Sequence, residues 1–140
     1  MKNYSVITEY IKDLADLSDR NNEIKPEMYE TYDVKRGLRD INGNGVVAGL
    51  TEVSRIKAKE KDADGNEIPC RGELYYRGID LKDIVSGFLD EGRMGFEETV
   101  FLLLTSKLPN RKELADFNAQ LSAYRDLPKF FVSDMILKAP

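Results

Sequence analysis

The sequence predicts a mainly α-helical fold carrying one small antiparallel β-ribbon. Three observations predict it. Apolar residues recur at steps of three and four near the start of the chain and through its second half. Between those regions, Val46 to Tyr76 alternates as strands do and is broken by an Asp-Gly turn. Within Gly72 to Ile84 the backbone then passes from extended to helical. Leu74-Tyr75-Tyr76 suits a half-buried strand, Gly72 and Gly78 punctuate its ends, and Asp80 is placed to cap a helix opening at Leu81.

The helical reading starts at Tyr4, Ile7, Ile11, Leu14 and Leu17, one apolar face of a helix from about Asn3 to Asp19. Glu9, Lys12, Asp13 and Asp16 form its polar face, which suits docking on protein better than lying on a membrane. Asn21-Asn22 ends this helix, and Lys25-Pro26-Glu27 can start a brief second one. Asp33 to Gly49 reads as loop. Its Asp40-Ile41-Asn42-Gly43-Asn44-Gly45 imitates a calcium loop, but the twelfth position is Thr51, and Glu52 falls one residue late. Turns built on Asn-Gly are the simpler reading.

Val46 to Lys59 then reads as a strand, with strand pairing expected near 46–57 and 68–76. Lys59 to Glu67 is a polar hairpin tip, in which Asp62, Asp64 and Glu67 are turn residues. Pro69 suits an edge position. After Asp80, the stripe Leu81, Ile84, Val85, Phe88 and Leu89 makes a helix that Gly92 stops. Phe96 to Thr105 is apolar almost all round, as a core helix is. Asn110 to Asp126 follows, with Asn110 and Glu113 spaced as a capping box and Leu114, Phe117, Leu121 and Tyr124 as its stripe. Leu127-Pro128 ends it, and Phe130, Phe131, Met135 and Ile136 mark a last short helix. Three segments result, all in one domain: a helix and arm over 1–36, a loop and ribbon over 37–80, and a helical segment over 81–140.

Composition narrows the function. The chain has 140 residues and a net charge of −4, with no basic cluster of the kind nucleic acid needs. Its longest apolar run, Val100 to Leu104, is too short for a bilayer, so neither nucleic acid nor membrane is expected as a partner. The lone Cys70 forms no internal disulfide, which fits a cytoplasmic location. There are no histidines, which removes the usual general base and the commonest metal ligand. Arg77 is expected to buttress a helix end or a carboxylate, Tyr75 and Tyr76 to pack in the strand, and Cys70 to be inert. No catalytic, cofactor-binding or metal-binding residue is assigned.

In order along the chain, Thr51, Ser54, Gly72, Leu74, Tyr76, Arg77 and Gly78 resemble the entry region of the citrate synthase family. Gly95-Phe96-Glu97-Glu98-Thr99-Val100-Phe101-Leu102-Leu103-Leu104 resembles that family's next helix, and Leu108-Pro109 and Leu127-Pro128 sit at its Leu-Pro breaks. The resemblance covers roughly residues 37–140, and the polar insert from Lys57 to Arg71 is similar to the longer-hairpin bacterial branch. It implies the N-terminal part of an all-α fold, in a homodimer, joined to the remainder of a parent chain. The implied reaction is condensation of acetyl-CoA with oxaloacetate to citrate and CoA, with no cofactor beyond that acyl-CoA substrate. In the family an Asp removes a methyl proton, one His stabilises the enolate and a second polarises the ketone. Nothing in this sequence matches those residues, so a catalytically inert fragment is expected. Two alternatives stay open: an independent helical interaction module, and a fragment of a 2-methylcitrate synthase.

Overall fold

A computed structural model describes residues 6–35, 37–39, 43 and 45–138 of the chain. Helix α1 spans Glu9–Asn21 and α2 spans Pro26–Thr31. A three-stranded antiparallel sheet follows: β1 (Ser54–Lys61), β2 (Glu67–Tyr76) and β3 (Ile79–Asp80), in that spatial order. Four helices complete the described chain: α3 (Leu81–Asp90), α4 (Phe96–Thr105), α5 (Arg111–Ala123) and α6 (Phe131–Lys138).

Helix α1 opens later than the apolar spacing predicts. Thr8 has extended backbone, and its hydroxyl accepts the Ile11 N–H at 3.3 Å, so the helix begins at Glu9. Asn3 and Tyr4, where the expectation placed the start, lie outside the described residues. The first strand is also shorter than expected. Val46 and Val47 pair back onto the preceding loop: the Val46 N–H donates to Leu38 O at 3.3 Å, and the Lys35 N–H donates to Val47 O at 2.6 Å. The Thr51 hydroxyl then accepts the Val53 N–H at 3.1 Å, a side-chain turn that bends the chain just before β1 begins at Ser54. The calcium-like positions 40–42 and 44 lie outside the described residues.

The hairpin tip is as the Asp-Gly spacing predicts. One Asp62 oxygen accepts the N–H groups of Asp64 and Asn66 at 3.0 and 2.8 Å, and Gly65 takes positive φ. Pro69 lies opposite Lys59, beside an irregularity where one residue of β1, Ala58, faces three of β2. There β2 pairs with β1 only, so proline costs no ladder bond on its open side.

At the far end of β2, Tyr76 pairs with Ile79 across a two-residue turn. Its central residues, Arg77 at φ 49° and Gly78 at φ 83°, are both left-handed, the turn that matches strand twist. Asp80 then caps α3 by accepting the Lys82 N–H at 2.9 Å. Gly92 at φ 64° closes α3, and Asn110 and Glu113 form the complete capping box of α5. Helix α5 ends at Ala123 and not at Asp126, with Tyr124 as its C-cap.

The core is small and lies on α4. Leu102 is fully buried, and Phe101, Ile84 and Phe117 nearly so. Phe101 and Phe117 meet edge to face, with centroids 5.5 Å apart. Helices α1 and α5 pack on α4, and α3 packs on β2 and β3. Coverage of α4 is incomplete, since Phe96 is 69% exposed.

Candidate functional site

The left-handed turn after β2 aims the Arg77 side chain at two helix ends. Its Nε and Nη2 donate to Leu103 O at 3.0 and 2.7 Å, and Nη1 donates to Asn21 O at 3.0 Å. Nη2 also donates to Asn22 Oδ1 at 2.8 Å. Leu103 and Asn21 lie in the last turns of α4 and α1, where carbonyls lack helical partners and the helix dipole is negative. The Asn21 amide adds a bond to Thr105 O at 2.7 Å. The guanidinium therefore fastens α1 to α4, bonded to two helix-end carbonyls and the Asn22 side chain. This is the helix-end role expected from the sequence.

A wider cleft, about 980 Å³, opens between the α3–α4 connection and the start of α5. Glu91, Arg93, Glu98, Arg111 and Asn118 supply its polar lining, and Leu108, Pro109 and Leu114 its apolar wall. The Arg93 guanidinium donates to both Glu91 and Glu98, and Glu98 is a buried carboxylate. Bonds to Glu98 and then Glu91 hold Arg93 further into its charged form, and Arg93 holds the Glu91 carboxyl below its usual range. Asn118 Oδ1 is buried without a hydrogen-bond partner. The lining holds a fixed ion pair and no Ser, Cys or His nucleophile, so it can bind and position a group but has no base–nucleophile pair.

Glu98 was legible in the sequence only as an acid in a first helical turn. Its partner Arg93 lies five residues upstream in the connecting loop, and nothing in the sequence separates Glu98 from its neighbour Glu97 in the same turn. A smaller cavity, about 210 Å³, lies among Tyr10, Leu14, Leu17, Phe101, Lys107 and Asp116. Burial, then the Asp116 and Glu113 charges, push the Tyr10 hydroxyl up. Tyr75 donates to Glu73 at 2.6 Å, while Arg55 stacks 4.5 Å over the Tyr75 ring. Cys70 is a free, half-buried thiol on β2. Among the described residues no group of three or more Cys, Asp or Glu side chains is placed to hold a metal. Nor, among them, is any helix long and apolar enough to cross a membrane.

Fold and site together define a mainly helical domain, entered through a ribbon, in which Arg77 and Asn21 secure helix ends. The chain belongs to the citrate synthase family: the family model described as "Citrate synthase, C-terminal domain" matches residues 38–140. That description corrects the placement in the family's N-terminal part expected from the resemblance. A 2-methylcitrate synthase 2 of Corynebacterium glutamicum is 32% identical over 103 residues, covering 74% of this chain and 21% of that protein. A citrate synthase of Saccharolobus solfataricus is 37% identical over 59 residues, 42% of this chain and 14% of that one. A citrate synthase-related protein of Dictyostelium discoideum is 38% identical over 56 residues, 40% of this chain and 12% of that one. The matched part of the chain thus spans about a fifth or less of these relatives' lengths. No solved structure matches.

Proposed function

We propose that this chain is a structural part of a citrate synthase-like acyltransferase, which condenses acetyl-CoA with oxaloacetate to citrate and CoA in the tricarboxylic acid cycle. On this reading the 140 residues alone do not catalyse the condensation. The observation that carries it is the absence of histidine from a sequence whose family is established. Claisen-type condensation needs a base to form the enolate and donors to stabilise the developing oxyanions. Arg77, a natural candidate for a substrate carboxylate, is engaged at helix ends, and the large cleft has no nucleophile. Segments 1–36, 37–80 and 81–140 then form one domain that docks on the remainder of a parent chain in a cytoplasmic homodimer. No cofactor, nucleic acid or membrane enters the scheme.

The test is thiol release from acetyl-CoA and oxaloacetate by the purified chain. The expected result equals the no-enzyme control, and release above that control, in a preparation free of host enzyme, overturns the proposal. A second substrate reading has specific support, because the Corynebacterium relative is named a 2-methylcitrate synthase. Propionyl-CoA therefore belongs in the same assay, and in the assay of any longer protein that contains this chain.

A further inference from the structure

The ribbon has two faces of different chemistry and one open edge. In the order β1–β2–β3, β1 pairs with β2 alone. Its outer N–H and C=O groups have no strand partner among the described residues, which makes them a template for another extended segment. Side chains alternate across a strand. Arg55, Lys57, Lys59 and Lys61 therefore share one face of β1, while Ser54, Ile56, Ala58 and Glu60 share the other. Opposite the cationic row stand Tyr75, Glu73, Pro69 and Glu67, so four cations face two carboxylates. The ion pairs they make, Lys59–Glu67 at 3.0 Å and Lys57–Glu60 at 3.4 Å, are solvent-exposed and weakly held. On the other face Ile56 is 74% exposed.

We propose that the free edge of β1 takes an extended segment of a partner protein in which acidic and apolar residues alternate. Added as a strand, such a segment lays its carboxylates along Arg55, Lys57, Lys59 and Lys61. Its apolar side chains then fall beside Ile56 and Ala58. A second copy of β1 is a poor occupant, because antiparallel pairing sets one cationic row against the other. The same lysines that repel a like strand select an acidic one.

The test titrates the whole 140-residue chain at low salt with a dye-labelled peptide of alternating Glu and Val. A Lys/Val peptide and inorganic polyphosphate serve as comparisons, with fluorescence anisotropy and amide hydrogen exchange as readouts. Binding of the Glu/Val peptide alone, with slowed exchange at alternate β1 amides, is expected. The triple variant Lys57→Glu, Lys59→Glu, Lys61→Glu, checked for native circular dichroism, should bind roughly tenfold more weakly or worse. No binding, or binding undiminished in the variant, overturns the proposal. Full competition by polyphosphate without protection of the β1 amides overturns it in favour of charge alone. Protection of those amides on concentrating the chain without peptide overturns it in favour of a second copy.

Discussion

At Arg77 one side chain holds three separated stretches of sequence together. Its acceptors are backbone carbonyls 26 and 56 residues away, at positive φ cost to its own backbone. Arg77→Ala should lower unfolding free energy by about 2–4 kcal/mol, because charged hydrogen bonds are lost and helix-end carbonyls are stranded. Arg77→Lys should recover less than half, since an ammonium cannot reproduce the planar fork. Urea unfolding checks both, and unchanged stability in Arg77→Ala would refute the clamp. Gly95 makes a different demand. Its φ of −101° is ordinary, but an added Cβ would sit 2.1 Å from the Phe88 ring. Gly95→Ala should cost about 1–3 kcal/mol through overpacking, and Phe88→Leu in the same chain should return part of it. Thermal melts of the single and double variants decide this, and a Gly95→Ala melt at the parent temperature would refute it.

Among the elements, α5 has the most local start. Asn110 accepts the Lys112 and Glu113 N–H groups at 3.0 Å each, and Glu113 returns a bond to the Asn110 N–H at 2.9 Å. Lys107, then that backbone N–H, hold the Glu113 carboxyl below its usual range. Its contribution to stability is therefore fully present above the unfolded carboxylate pKa and is lost as pH falls through the lowered folded value. Amide protection at the start of α5, measured relative to the intrinsic exchange rate, should fall in that acid window and not in Glu113→Gln, whose protection should be flat there. Asn110→Ala should cost about 1 kcal/mol at neutral pH. Such a cap is readable in sequence because all its partners lie within three residues. So were the Asp80 cap, the Gly92 stop and the Asp62 turn. The start of β1 was not, because the alternation from Val46 onward is interrupted by pairing with Lys35 and Leu38 and by the Thr51 turn. Nor did the sequence show the cleft, whose part-buried ion pair joins α4 to a loop that no periodicity marks.

For the molecule as a whole, apolar surface exceeds what its few buried side chains absorb. Helix α6 buries no residue, and Phe130, Phe131, Val132, Met135, Ile136 and Leu137 are all exposed. Two large side chains left in water forgo roughly 3–6 kcal/mol of burial, comparable with a small domain's whole stability. The chain alone should therefore self-associate or bind a hydrophobic dye, as sedimentation across a concentration range will show. A strict monomer without dye binding would mean that the domain is self-sufficient, and would favour an independent module. The bond from Asn21 to Thr105, spanning 84 residues, reaches further than stability. Helix α1 is synthesised well before α4, so its anchor points arrive only after the intervening chain has been made. At roughly 5–20 residues per second, the nascent helix waits several seconds to more than ten seconds for its lock. During that interval its apolar stripe is open to chaperones and to proteases. Pulse proteolysis of stalled nascent chains should find α1 cleavable until Leu103 to Thr105 have emerged from the exit tunnel, and protected afterwards.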